Sequence, residues 1–216
     1  MRPRLGVLAT LVFDTIFVLA DSPRNPSAGP FESEITMSVG VFNLASVPPG
    51  ILQAAQVGAG QVFAEAGVQL RWVLCPCESE GELPQFNLRI IPKLFGSWQS
   101  PFGARHLGFA AVDETGGILA TIFYDRVDWL AKGGDLSQAL GLAIAHELGH
   151  LLLGSAAHTK RGIMQPYLSR KDLRGQRASR LIFDPVQIQH IHHKLVAGEG
   201  GRKTRASGQR PSGPRN

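Results

Sequence analysis

The sequence predicts an α+β domain, a mixed, twisted sheet followed by one long buried helix, a loop and a last helix. Three observations predict it. Short β-rich runs bounded by turn residues dominate the first half of the chain. One helical stretch interrupts them, between the first and second runs. From Ala139 to Leu153 the chain then reads Ala-Leu-Gly-Leu-Ala-Ile-Ala-His-Glu-Leu-Gly-His-Leu-Leu-Leu, apolar on every side except at three positions. A helix apolar all round is a buried helix. With 216 residues, 44% of them hydrophobic, the chain is long enough for one domain with a full core.

The elements follow in order. Ile35 to Leu44 alternates and is rich in β-formers, predicting a strand. Val47-Pro48-Pro49-Gly50 turns into a helix over about Ile51 to Ala66, which Gly67 stops. Val68 to Cys75 and Phe86 to Pro92 are the second and third strands, separated by an acidic loop, 76–85. Residues 93–105 are irregular. Leu107 to Asp113 and Ile118 to Tyr124 form a hairpin around Glu114-Thr115-Gly116-Gly117. A short helix or turn begins at Tyr124 and breaks at Gly133-Gly134. Asp135, with Gln138 three residues on, is the N-cap of the long helix, and Gly154 is its left-handed terminator. A loop turns at Gly162. Pro185 opens the last helix, predicted to end near Val196, ahead of glycines 198, 200 and 201.

The three polar positions of the buried stretch are His146, Glu147 and His150, an H-E-x-x-H motif. Two imidazoles and a carboxylate are costly to bury without partners. A metal ion is a partner that fits all three. Residues i and i+4 share a helix face one turn apart, so both imidazoles reach one ion. Glu147 is rotated off that axis, where it reaches a metal-bound water without binding the metal. Zinc acidifies such a water and the carboxylate takes its proton, which is the chemistry of zinc hydrolases. A catalytic zinc site needs three protein ligands. His158 is the best third, because Gly154 lets the chain turn back sharply beneath the helix; Asp172 and Asp184 are the alternatives.

His146-Glu147-x-x-His150, followed by Gly154, His158 and Gly162-Ile163-Met164, resembles the metzincin clan of zinc metallopeptidases, with its H-E-x-x-H-x-x-G-x-x-H motif and methionine-containing turn. It is more similar still to a bacterial exported group carrying H-E-L-G-H-L-L-L-G-x-x-x-H and G-I-M. The spacing departs from the clan's: Gly154 follows His150 by four residues rather than three, and His158 by eight rather than six. The resemblance spans about residues 35–197 and is specific over 146–167. It implies a metzincin-like fold, a zinc ion, a peptide or protein substrate, Met164 as an apolar floor beneath the metal, and Tyr167 as a second catalytic residue that stabilises the oxyanion. It also implies a substrate-binding upper rim, expected on the Gly117–Tyr124 strand. Two other readings stay open: a gluzincin-like zinc hydrolase with an acidic third ligand, and a non-catalytic binding module in which metal only stabilises the helix.

The remaining features bound partners and location. The net charge is +5, with +1 on residues 1–20 and +4 on 198–216, so residues 21–197 are neutral. A neutral core offers no footprint for nucleic acid. Arg2 and Arg4, the apolar run Leu5–Ala20 and Val18-Leu19-Ala20 resemble a cleavable signal peptide, predicting a secreted or periplasmic monomer with no membrane insertion after its removal. Residues 21–34 read as a linker, 35–197 as the zinc protease domain and 198–216 as a disordered basic tail. Cys75 and Cys77, flanking Pro76, read as non-catalytic and unpaired, since a bond between them closes a strained ring. His190, His192 and His193 read as surface residues, and His106 as a histidine without a partner.

Overall fold

Among the described residues, five strands and four α-helices carry the order predicted. The computed structural model describes residues 35–75, 83–93, 106–113 and 116–206. The expected signal peptide (1–20), linker (21–34), most of the acidic loop and of the irregular segment, the turn residues Glu114 and Thr115, Cys77 and the end of the tail (207–216) lie outside them. The elements are β1 (Ile35–Asn43), α1 (Pro49–Ala64), β2 (Val68–Cys75), β3 (Phe86–Ile91), β4 (Gly108–Asp113), β5 (Gly116–Phe123), α2 (Tyr124–Ala131), α3 (Leu136–Leu153) and α4 (Pro185–Ala206), with a short 3-10 helix at Gly175–Arg180.

The strands form one mixed sheet in the order β2-β1-β3-β5-β4. The pairs β1/β2, β1/β3 and β3/β5 are parallel; β4 pairs antiparallel with β5 and closes one edge. The expected rim strand therefore shifts. β5 is bonded on both sides, by β3 and β4, and its ladder groups are taken. The sheet ends in β2 on one side and β4 on the other, so at the hairpin the free edge belongs to its first arm, β4, rather than its second.

Helices α1 and α3 touch each other and each touches the sheet, so they share one face of it. Met37, Val39 and Val41 of β1, Leu88 and Ile90 of β3, and Ile122 of β5 meet Phe63, Leu140, Ile144, Leu148 and Leu151 in a single core. The two helices approach closely because small residues face each other. A side chain at Gly141 would sit 2.7 Å from the Ala55 carbonyl oxygen and 3.3 Å from the Ala59 nitrogen. Helix α3 is capped as its sequence predicts. The Asp135 carboxylate accepts from the Gln138 amide, and Gly154 ends the helix at φ 60°, a backbone region costly for other residues.

The far end of the chain differs from expectation in two respects. Helix α4 runs to Ala206, past the glycines predicted to stop it. Each glycine costs a helix about 1 kcal/mol and weakens it without forbidding it. His192 is also no surface bystander: it is half-buried and its Nε2 hydrogen-bonds the Ala66 carbonyl oxygen at 2.6 Å, just beyond α1. His190 and His193 are exposed, as expected. Cys75 is disulfide-bonded, which corrects the expectation of a free thiol at that position. Among the described residues, no helix is long and apolar enough to cross a membrane.

Replacing Gly141 with Ala tests the helix contact. The methyl group favours an isolated helix by about 1 kcal/mol, but here it meets backbone, which cannot rotate away. A net loss of about 1–3 kcal/mol is expected in denaturant unfolding. A variant as stable as wild type would mean that α1 and α3 do not depend on this close approach.

Candidate metal centre

The site is assembled by α3 and the chain that follows it. His146 and His150 project from consecutive turns of the helix. The Nδ1 of His146 lies 2.7 Å from the Ile163 carbonyl oxygen, and the Nδ1 of His150 lies 2.7 Å from that of Ser155. A carbonyl only accepts, so both Nδ1 atoms carry the proton and both Nε2 atoms of the neutral rings present lone pairs. Those two Nε2 atoms are 3.1 Å apart. Two acceptors at that distance repel unless a proton or a cation lies between them. Nitrogen ligands at 2.0–2.1 Å around a tetrahedral zinc stand about 3.3 Å apart, close to the spacing found.

His158 completes the set. It comes from the loop beyond Gly154, and one ligand atom from each of His146, His150 and His158 lies within 4.8 Å of the other two. The His158 ring stacks on His146 at 5.3 Å and meets His150 edge-on at 4.9 Å. Asp172 and Asp184 are engaged elsewhere. Asp172 accepts from the amide and hydroxyl of Ser169, and Asp184 caps α4 by accepting from the Val186 and Gln187 amides. Neither aspartate belongs to the three-residue cluster that could hold an ion.

The Gly162-Ile163-Met164 turn supports this cluster directly. Ile163 supplies the carbonyl that orients His146, and its own amide is anchored to the Ile182 carbonyl oxygen at 3.0 Å. Gly162 sits at φ 81°, and a side chain there would lie 2.6 Å from that same carbonyl oxygen. Met164 is fully buried and packs against Gly149, where a side chain would meet its sulfur at 2.6 Å. The missing side chain one residue before His150 is what lets the turn lie against the helix.

Electrostatics favour the metal-binding form of each ring. Burial pushes His146 down to about 4, against the weaker opposing pull of its bond to Ile163. Burial also lowers His150 and His158, aided by neighbouring imidazoles. All three are therefore neutral near pH 7, as ligation requires. Glu147 is 5% exposed; burial raises its carboxyl to about 8, and its Oε2 has no hydrogen-bond partner among the described residues. A nearby cation is what such a group lacks.

The cluster opens into a cleft whose walls include β4 residues Gly108 to Ala110 on one side and Gln165 to Leu168 on the other. Tyr167 lines it, half exposed, with its ring 5.9 Å from that of His106. His106 is the residue that sequence reasoning passed over. It stands at the entrance to β4, lines the same cleft as His146, Glu147 and His158, and is held through its carbonyl by Arg126 Nη1 at 2.8 Å. Nothing in its sequence neighbourhood marks it; only the sheet order brings it to the motif.

No family model matches the chain, and no curated protein matches it in sequence. Solved structures do resemble it. The crystal structure of archaemetzincin from Methanopyrus kandleri matches at a TM-score of 0.50 and 14% identity, over 76% of this chain and 97% of that one. A zinc-dependent peptidase from Methanocorpusculum labreanum matches at 0.48 and 15%, over 71% and 99%. Metalloproteinase-II from Bacteroides fragilis matches at 0.41 and 12%, over 69% and 53%. At 14% identity the first likeness is one of fold.

The pH dependence of metal-free protein tests the electrostatics, with two groups acting in opposite directions. Glu147 holds its proton more tightly folded than unfolded, so its contribution is lost as pH rises from about 4.5 through about 8. The Glu147→Gln variant should therefore gain on wild type in Tm across that range. In that variant the depressed His146 dominates. Stability is then full above about 6.5 and lost as pH falls toward about 4. Parallel Tm curves for the two proteins would refute the first assignment, and a flat curve for the variant the second.

Proposed function

We propose that the protein is a metzincin-like zinc peptidase that cleaves peptide bonds in a peptide or protein substrate. The observation that carries the reading is the pair of Nε2 lone pairs 3.1 Å apart, each fixed by an Nδ1–H bond to a backbone carbonyl, with His158 beside them. His146, His150 and His158 would hold the ion, and the buried, unpartnered carboxylate of Glu147 lies next to them in sequence and lines the same cleft. Zinc, when bound, supplies a Lewis acid that polarises a carbonyl and acidifies water.

The chain's own residues do the rest. Glu147 takes the proton from the attacking water and passes it to the leaving amine. Its burial serves this task, because a carboxyl held near neutral pH both accepts and returns a proton. Tyr167, on the wall of the cleft, donates its hydroxyl hydrogen to the oxygen on which charge develops. The free edge of β4 takes the substrate as an additional strand. The apolar run behind Arg2 and Arg4 supports placing this activity in a secreted or periplasmic protein.

A purely structural metal site has no use for a free carboxylate beside the ligands, and this argues against the binding-module reading. Two variants test the proposal. Glu147→Gln should lower kcat by about 10²–10⁴-fold while zinc content stays at one per chain. Surviving activity would remove Glu147 from the base role. His158→Ala should weaken zinc binding by more than the roughly 10–100-fold that loss of an outer partner costs. Unchanged stoichiometry and affinity in a metal titration would remove His158 from the ligand set.

A further inference from the structure

Three buried side-chain polar atoms have no hydrogen-bond partner among the described residues: His106 Nδ1, Glu147 Oε2 and Gln165 Nε2. All three residues line the one cleft above the histidine cluster. Unpaired buried polar groups are rare and costly, and a set of them converging on one concavity marks what the concavity is built to hold. Glu147 has its role in the proposed reaction. His106 and Gln165 are outside the three-histidine cluster, and the metal does not account for them.

Both residues are held in place by contacts that leave these side-chain atoms over. The His106 carbonyl accepts from Arg126 Nη1 at 2.8 Å, and the next carbonyl, of Leu107, accepts from the Phe123 amide at 2.8 Å. The His106 ring rests edge-on against Tyr167. Gln165 follows the buried Met164, and its backbone amide donates to the Gly162 carbonyl oxygen at 3.3 Å. One residue enters from the sheet edge and the other from the turn that carries Met164.

We infer that His106 and Gln165 are further substrate-binding residues, which hydrogen-bond the main chain of a peptide lying in the cleft. The inference rests on the peptidase reading and adds to it. The Gln165 amide donates to a carbonyl oxygen of the peptide. His106 Nδ1 accepts from a peptide N–H. A peptide main chain offers this acceptor and this donor at nearly every residue. The walls beside the two residues (Phe109, Ala110, Pro166, Leu168) are uncharged, which suits a neutral main chain rather than an ionic ligand.

The test uses zinc-loaded full-length protein and unfolded β-casein as the probe. Gln165→Met and His106→Phe approximate the shape of each side chain, at some added bulk, and replace its polar atoms, the unpartnered one included, with apolar ones. Each should raise KM for casein about tenfold, with zinc content unchanged. Each should also hold or raise Tm in the absence of substrate, because an unpaired buried group has been removed. That combination of weaker substrate binding and undiminished stability is one a merely structural residue does not produce. KM equal to wild type in both variants overturns the inference, as does loss of zinc or a lowered Tm in both. Wild-type protein that binds no zinc, or hydrolyses no casein, overturns the peptidase reading itself, and the two failures are thereby separated.

Discussion

The structure depends on two imidazoles, one buried and one half-buried, with their Nε2 lone pairs facing each other. Neutral rings in that arrangement repel, and burial opposes the proton that would relieve them. The fold maintains it through two backbone carbonyls, of Ser155 and Ile163, which hold the Nδ1 protons and so fix both tautomers. Each carbonyl lies beyond the end of α3, one on each side of His158 in sequence. The loop that supplies the third imidazole is thus the same loop that orients the first two.

Placing such a loop requires a rigid platform. Helix α3 is that platform because it is apolar nearly all round and is packed against α1, β4 and β5 together. Its two internal glycines divide the labour. Gly141 lets α1 approach from one side, and Gly149 lets Met164 and Phe183 approach from another. The only polar interruptions in the buried stretch are the three residues that carry the chemistry. The fold tolerates them because each is finished from outside the helix, by carbonyls, by His158 or by whatever enters the cleft.

Much of this was legible in the sequence where the physics is local. The H-E-x-x-H spacing places two imidazoles on one helix face whatever surrounds it, and Asp135, Gly154 and Pro185 mark helix ends through side-chain and backbone chemistry of their own. His158 was legible because Gly154 implies a sharp return of the chain. What was not legible depends on contacts between distant segments. Strand order decided that β4, not β5, forms the free edge. The same order brought His106 to the cleft, and no neighbour in sequence announces it. Tertiary packing also turned His192 from an exposed residue of a histidine-rich run into a cap on the carbonyl of Ala66.

That last contact has a consequence for how the molecule is made. The bond from His192 to Ala66 joins positions 126 residues apart. On a ribosome, the Ala66 carbonyl, just beyond α1, gains this partner only after His192 of α4 has emerged. Closing so long a loop carries an entropic cost that early, local contacts do not. Helix α4 therefore acts as a clasp on the segment that follows α1, and the clasp closes only when both are in place.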